Sequence, residues 1–189
     1  MVKLRPSNCR DSLWLAVLGP VSAGAYGAWT GKWLLWVPAA EVDERWPAIA
    51  GATVVGFLGI ATKVSTAAHP RNASGEHVIC VYSADCQEHA DVARVLAMLR
   101  DLGYRGRLSY KEDGMTYAGR YGQGTALYVA QAGANDFDQR RQAVPVPPEH
   151  LNSGMGAALA ARRRPVPSAI SRTAQTSLRP VGDGTRTAG

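Results

Sequence analysis

The chain has 189 residues, of which 46% are hydrophobic and 19% charged, and this is enough for one domain with a hydrophobic core of its own. The net charge of +6 lies mainly beyond residue 130, where eight arginines face four acidic residues and lysine does not occur. The rest of the chain is close to neutral. Composition therefore does not indicate a nucleic-acid-binding domain, and nucleic acid is not an expected partner.

The cysteines and an apolar N-terminal stretch bear on location. Cys9, Cys80 and Cys86 are odd in number and lack metal-ligand spacing, so neither a disulfide framework nor a metal site is expected. The apolar residues 12–31 are interrupted by a Gly-Pro pair and begin too late for a secretory signal. The sequence predicts a cytoplasmic protein without membrane contact.

The first part of the chain is rich in predicted strands. Residues 1–10 are expected to form a flexible leader. Apolar and β-branched runs between turn signals then predict strands at 11–18, 31–38, 59–66 and 76–83.

Two amphipathic segments predict helices. In residues 39–59 the side chains of Val42, Trp46 and Ile49 recur at the spacing of one buried helical face. Residues 89–103 carry the clearest pattern in the chain, with a terminal glycine where a helix cap belongs. The apolar stripe of this second helix consists of Val92, Val95, Leu96, Leu99 and Leu102.

Three short segments after the second helix, 107–111, 115–122 and 125–131, predict an antiparallel meander. The order of elements predicts an α+β fold, with a curved, mainly antiparallel sheet and two main helices on one face. The folded domain is expected to span 11–131. Residues 132–189 are rich in proline and arginine without apolar periodicity, and they are predicted to form a disordered tail.

Lys63 lies in the middle of an apolar strand pattern, an unusual place for a charged side chain. Such a lysine either extends its amine to solvent or is kept neutral as a base. Lys32, Lys111 and Arg120 also lie on predicted strands or strand ends. If these cations meet on one face of the sheet, they would bind a phosphate monoester and lower the pKa of a lysine among them. The alternative is that they all point into solvent.

Two tryptophans on the second predicted strand, Trp33 and Trp36, are three residues apart and therefore point to opposite faces of the sheet. One of them is expected to be exposed, where it would stack on a ligand ring or cover the core.

The order of these motifs resembles a known family. The strings DSLWLAVLGP, GKWLLWVP, GFLGIATKVST, HVICVYSAD and LSYKEDGMTYAGRYG are similar to those of the bacterial branch of the basophilic-leukaemia-expressed protein family, over about residues 11–131. The resemblance implies a fold similar to cap-binding initiation factor 4E, in which helices back a curved antiparallel sheet.

A more distant resemblance gives the cations a role. GKWLLWV, ATKVS, ICVYS and GRYG follow the order seen in the lyase domains of lanthipeptide synthetases and in the phosphothreonine lyases of bacterial effectors. The reaction implied is β-elimination of phosphate from a phosphorylated peptide or protein, which leaves a dehydroamino acid and uses no cofactor or metal.

The resemblance also implies residue roles. Lys63 matches the base, Arg120 and Lys32 match phosphate-binding positions, and Lys111 and Tyr110 would stabilise the leaving phosphate or donate its proton. The histidine that serves those lyases as general acid is replaced here by Leu34. Its loss would slow elimination by ~10²–10⁴-fold unless Tyr110 or Lys111 substitutes.

Two other functions stay open. A non-catalytic binding module for a nucleotide or peptide would place two tryptophans about 7 Å apart, with a ring between them. A purely structural role would use an open sheet edge for assembly.

Overall fold

The computed structural model describes residues 5–20, 26–70, 72 and 75–151. Its elements follow in chain order as β1 (Trp14–Leu18), β2 (Gly31–Pro38), α1 (Ala39–Val54), β3 (Ala61–Ser65), β4 (Glu76–Ser83), α2 (His89–Asp101), β5 (Leu108–Glu112), α3 (Asp113–Tyr117), β6 (Tyr128–Ala130) and β7 (Asp138–Gln139). A 3₁₀ turn at Pro148–His150 lies close to the C-terminal limit of the described residues.

All strands pair antiparallel in a sheet of order β1-β3-β4-β2-β5-β6-β7. The two longest strands, β2 and β4, lie side by side at the centre and pair over eight residues each. Both are largely apolar, β2 with two tryptophans and a valine and β4 with two valines, an isoleucine and a tyrosine, which favours a central position in a sheet. The remaining strands attach on either side of this pair.

Helices α1 and α2 cover one face of the sheet. Val42, Trp46 and Ile49 of α1 are buried as the spacing predicts, and so is the stripe of α2 through Leu99. Both helices pack into one cluster with the inward residues of β2. The α+β prediction, with a curved antiparallel sheet and two main helices, is confirmed and is consistent with an initiation-factor-4E-like fold. Among the helices of the described residues, none has the length and apolar character needed to span a bilayer.

The segment 115–122, predicted as a strand, folds differently. Its first half belongs to the short helix α3, where Met115 is buried. Its second half is a turn in which Gly119 and Gly122 have φ of 69° and 90°, values that glycine adopts readily and that do not occur within strands. The strand prediction was wrong here because the aromatic residues suggested an alternation that the two glycines interrupt.

The C-terminal segment is ordered further than the sequence predicts. Within residues 132–151, β7 pairs with β6, and Phe137 packs against Trp33 with ring centroids 5.9 Å apart. Arg141 forms an ion pair with the fully buried Glu112, at 2.5 Å and 2.7 Å. The described fold therefore includes β7 and the Arg141 pair beyond the predicted boundary at 131, and the rest of the predicted tail, 152–189, lies outside the described residues.

The predicted leader is also attached where it is described. The backbone N–H and hydroxyl of Ser7 donate to the two carboxylate oxygens of Asp43 on α1, at 3.0 Å and 2.6 Å. Pro6 is buried, and its carbonyl accepts from the N–H of Ala67 at 2.9 Å. Residues 5–10 thus pack on the domain, while residues 1–4 lie outside the described part.

Candidate functional site: a lysine pocket on the open face of the sheet

The strand register determines which side chains share the face that the two main helices leave uncovered. Lys63 on β3 lies opposite Cys80 on β4, and Cys80 lies opposite Leu34 on β2. In the next row, Lys32 lies opposite Tyr82 on one side and opposite Lys111 on β5 on the other. Directly opposed residues of antiparallel strands point to the same face, so the three lysines share it.

A cavity of about 450 Å³, here called the lysine pocket, opens on this face. Its walls combine cationic, aromatic and apolar side chains. It is lined by Trp14, Lys32, Leu34, Trp36, Lys63, His69, Pro70, Val78, Cys80, Tyr82, Lys111, Asp113, Thr116, Tyr117 and Tyr121.

The distribution of lysine in the chain singles out this pocket. The sequence contains four lysines, at positions 3, 32, 63 and 111, and only Lys3 lies outside the described residues. The other three all line the lysine pocket. Elsewhere in the described residues the long basic side chains are arginines. Unlike arginine, lysine changes its pKa readily when buried, and it is the basic residue suited to act as a base.

Lys63 has an unusual environment for an amine. It is partly buried, and no described residue accepts a hydrogen bond from its Nζ. The Nζ lies over two aromatic faces instead, 4.4 Å from the ring centroid of Trp14 and 5.5 Å from that of Tyr82. Burial, assisted by the charge of Lys32, lowers the pKa of Lys63 below its ordinary value.

Lys32 is held in a polar network at the floor of the pocket. Its Nζ donates to Asp113 Oδ1 and, at 2.9 Å, to Thr116 Oγ1. The other oxygen of Asp113 accepts from the hydroxyl of Tyr26 at 2.7 Å, and burial together with the Asp113 charge raises the pKa of Tyr26. A lysine has three N–H groups, so Lys32 has one left for a ligand.

Lys111 is placed by the turn after α3. Its Nζ donates to the carbonyl oxygen of Arg120 and lies 4.1 Å from the ring centroid of Tyr121. The amine is thus anchored to a loop that forms one rim of the pocket. Because Lys111 is only 5% exposed, its charge is shielded from bulk water and is felt inside the pocket.

Two of the site residues expected from the sequence lie elsewhere. Tyr110 precedes Lys111 on β5 and therefore points to the opposite face, where its ring packs against Trp33 in the core and its hydroxyl bonds to Ser83. Arg120 is exposed and does not line the pocket, which it supports through its backbone carbonyl. The cations that meet are Lys32, Lys63 and Lys111.

The tryptophans divide as predicted. Trp33 is fully buried in the core, while Trp36 is 53% exposed at the rim of the lysine pocket. Trp14 also lines the pocket, but β3 and β4 separate it from Trp36, which puts their Cα atoms about 14 Å apart. At the level of the backbone this is wider than the separation of about 7 Å that suits a ring sandwiched between two indoles.

Sequence reasoning missed part of the pocket. Asp113 and Thr116 belong to a segment predicted as turn and strand, and the helix α3 turns both towards Lys32. His69 follows β3 and reaches the pocket through an edge contact with Trp14, at 4.6 Å between ring centroids. The pairing of β1 with β3 brings these two residues together, and no local sequence signal shows it.

The chemistry of the pocket suits an anion with an organic body. One carboxylate, Asp113, stands against three amines, and the walls are largely aromatic or apolar. The thiol of Cys80 is not a ready nucleophile, because burial raises its pKa. Within the described residues, no group of three or more His, Cys, Asp or Glu side chains is arranged to hold a metal ion.

Comparison with known families agrees with the motif order noted above. The family model described as basophilic leukemia-expressed protein Bles03 matches residues 15–119. The match covers more than half of the chain, from β1 to the turn after α3, and includes every lysine of the pocket. The chain belongs to the basophilic leukemia-expressed protein Bles03 family.

Proposed function

We propose that the lysine pocket binds the phosphate of a phosphothreonine or phosphoserine side chain, and that Lys63 removes the Cα proton so that phosphate is eliminated. The observation that carries this proposal is the convergence of all the described lysines on one pocket, with an amine of lowered pKa among them. Lysines without a shared role would not be expected to converge on one cavity.

Phosphate binding rests on Lys32 and Lys111. Both amines are nearly excluded from water, with 6% and 5% of each residue exposed, and charge-assisted hydrogen bonds are stronger in such a setting. Asp113 neutralises one of the two charges and holds Lys32 in place. The positive charge that remains uncompensated attracts a phosphate group. A pocket of about 450 Å³ has room for the phosphorylated side chain and its backbone.

Lys63 is suited to act as the base because no described residue accepts a hydrogen bond from its Nζ. An amine that donates to a carboxylate stays protonated, whereas Lys63 faces only aromatic rings, and burial favours its neutral form. Cation–π contact with Trp14 acts in the opposite direction, by about 0.5–2 kcal/mol. The lowered pKa leaves a larger neutral fraction at neutral pH than an ordinary lysine has.

The step balances without a further reactant. The neutral Lys63 Nζ takes the Cα proton, and the electrons of the Cα–H bond form the Cα–Cβ double bond. The Cβ–O bond breaks, and its electrons leave with the phosphate. Lys111 donates a proton to that leaving group, since Tyr110 lies on the other face of the sheet and Leu34 has no proton to give.

The test is mass spectrometry of a phosphothreonine peptide panel incubated with three versions of the full chain. Wild type is expected to yield a product that has lost phosphoric acid. Lys63→Met removes the amine, and Lys63→Arg keeps the positive charge but cannot become neutral. Both variants are expected to lose the product, while Lys63→Arg retains peptide binding. Product formation by Lys63→Met would rule out Lys63 as the base.

A second function, non-catalytic binding of an aromatic phosphate such as a nucleotide, is favoured by one observation. Trp36 is a large, half-exposed aromatic side chain at the rim of a cationic pocket, and Tyr121 on the Lys111 side is exposed as well. A ring would stack on such a surface while its phosphate meets the lysines. Binding of a nucleoside monophosphate that Trp36→Ala weakens, with no elimination by wild type, would select this function.

A further inference from the structure

A second cavity, of about 250 Å³, lies at the edge of β2 rather than on the open face of the sheet. It is here called the edge groove. One wall is the C-terminal half of β2, Leu35–Pro38, and the other is the loop Gly103–Leu108 that connects α2 to β5. Glu41 and Arg45 of α1 close one end.

The β2 wall presents a strand edge without a partner. On its β4 side, β2 is paired over its whole length, Gly31–Pro38. On its β5 side, pairing covers only Gly31–Leu34, because β5 begins at Leu108. The register puts Leu108 opposite Leu35, so within the described residues Trp36–Pro38 extend past β5 on that side, where Trp36 offers its N–H and C=O and Pro38 its C=O. Free N–H and C=O groups of a strand edge are a template for another extended chain.

The opposite wall is rigid and positively charged. The buried guanidinium of Arg100 donates to the carbonyl oxygens of Tyr104 and Gly106, at 2.5 Å and 2.6 Å, and so fixes the loop. Arg105 and Arg107 on this loop are exposed, and neither forms an ion pair with a described residue. Glu41, the only acidic side chain in the groove lining, is already paired with Arg45 at 2.7 Å. The two loop arginines are therefore the uncompensated charges of the groove.

Trp36 connects the edge groove to the lysine pocket, because this residue lines both. Along β2, Trp36 lies four residues from Lys32, which corresponds to about 13 Å of extended chain. A peptide whose phosphorylated residue occupies the lysine pocket would therefore reach the edge groove after about four residues.

We infer that the edge groove binds an extended acidic segment of the phosphorylated substrate, which pairs with the free edge of β2 and places carboxylates against Arg105 and Arg107. The inference names the substrate class as phosphopeptides with a glutamate or aspartate cluster about four residues from the phosphorylated position. It rests on the proposed function for the identity of the group in the lysine pocket, but the groove has its own charge and its own free strand edge.

The experiment measures binding of fluorescein-labelled synthetic peptides to the full chain by fluorescence anisotropy at low salt. One peptide carries phosphothreonine and a glutamate cluster at the stated distance, a second has glutamine in place of glutamate, and a third has threonine in place of phosphothreonine. The cluster is placed on the N-terminal side in one series and on the C-terminal side in another. We expect the glutamine peptide to bind about tenfold more weakly in one of the two series.

Charge-reversal variants separate the groove from general electrostatics. The double variant Arg105→Glu, Arg107→Glu is expected to abolish the difference between the glutamate and glutamine peptides. The matched control is Arg10→Glu, an exposed arginine that precedes β1 and lines neither cavity, and it is expected to preserve the difference. Strand pairing predicts slower exchange of the Trp36 amide when the glutamate peptide is bound, whereas the N–H groups of Leu35 and Val37 already point to β4.

The possible results separate the two proposals. If the unphosphorylated glutamate peptide binds as well as its phosphorylated form, and the double variant still weakens it, the edge groove stands and the phosphate pocket fails. If phosphorylation matters but glutamate and glutamine peptides bind equally in both series, the edge groove is overturned. An equal effect of Arg10→Glu, or unchanged exchange of the Trp36 amide, would also overturn it.

Discussion

Restoring the missing acid is the perturbation that reports most clearly on the chemistry of the lysine pocket. Leu34 lies in the row of Cys80 and Lys63, with one strand between them, so the Cα atoms of positions 34 and 63 are about 10 Å apart on the same face. A histidine introduced by Leu34→His would face the Lys63 amine across the space where a substrate must lie. The histidine would then lie on the side of the leaving phosphate, and Lys63 on the side of the Cα proton.

The expected magnitude follows from the role of a general acid. A positioned acid contributes ~10²–10⁴ to the rate, equivalent to about 3–5 kcal/mol of barrier. Leu34 is partly exposed and packs at the rim of a small apolar cluster, so its replacement should cost only about 1–2 kcal/mol of folding stability. The gain in rate should therefore be measurable on a folded protein.

The assay is single-turnover release of phosphate from a phosphothreonine peptide, compared among wild type, Leu34→His and Leu34→Asn. Asparagine is polar but does not titrate, so it controls for polarity in the pocket. The histidine variant should accelerate release and lose that advantage as pH rises through the ordinary histidine pKa, about 6.5. A folded Leu34→His protein that binds the peptide and is no faster than Leu34→Asn would refute the placement of acid and base proposed here.

Three further predictions concern stability and ligand response. The pKa of Lys63 is lowered in the folded state, so between that lowered value and the ordinary one the unfolded chain binds more protons, and the contribution of Lys63 to stability rises with pH. Urea titrations should show this rise in the difference between the free energies of unfolding of wild type and Lys63→Met. A difference that does not change with pH would contradict it. Inorganic phosphate should raise the melting temperature of wild type and of Arg120→Ala but not of Lys111→Met. A rise in melting temperature that Arg120→Ala abolishes and Lys111→Met preserves would place the phosphate site at the outer rim instead. Glu112→Gln should lower the free energy of unfolding by about 3 kcal/mol, near the lower limit for a broken buried pair because the Arg141 side chain keeps 19% exposure. Asp138→Asn, at an exposed pair, should lower it by under about 1 kcal/mol. Equal losses in urea unfolding would show that residues 138–144 are not held by the buried pair.

Much of the fold follows from local sequence patterns. The helical spacing of the α2 stripe and the apolar runs of β2 and β4 are visible in the sequence alone. The structure has these elements within a few residues of the predicted bounds. The opposite orientations of Trp33 and Trp36 follow from alternation along a single strand. Patterns of this kind depend only on neighbours in the chain.

The misjudged elements depend on distant partners. Residues 132–151 are held by Phe137, which packs against the core, and by Arg141, which forms an ion pair with Glu112 at a distance of 29 residues in the chain. A single aromatic and a single arginine in a polar segment give no periodic signal. The same holds for the pocket, since only the order β1-β3-β4-β2-β5 brings Trp14, Lys63 and Lys111 onto one surface.

The common face of the three lysines could be predicted from alternation along the strands. Lys32, Lys63 and Lys111 have their places on strands whose register puts them together. Tyr110 is adjacent to Lys111 in the chain and therefore cannot share its face, a conclusion available from the strand alone. Arg120 required knowledge of α3, which replaces the predicted strand with a helix and a turn.

Nuclear magnetic resonance of the lysine side chains can show whether Lys63 is a base beside a bound phosphoryl group. Lysine occurs at only four positions, so the ε-carbon signals of ¹³C-labelled lysine can be assigned with single substitutions. If Lys63 is the base, its signal titrates below the ordinary lysine pKa, and a phosphothreonine peptide shifts it together with the signals of Lys32 and Lys111. An ordinary pKa for Lys63, with its signal unmoved by the phosphopeptide, would rule out this role.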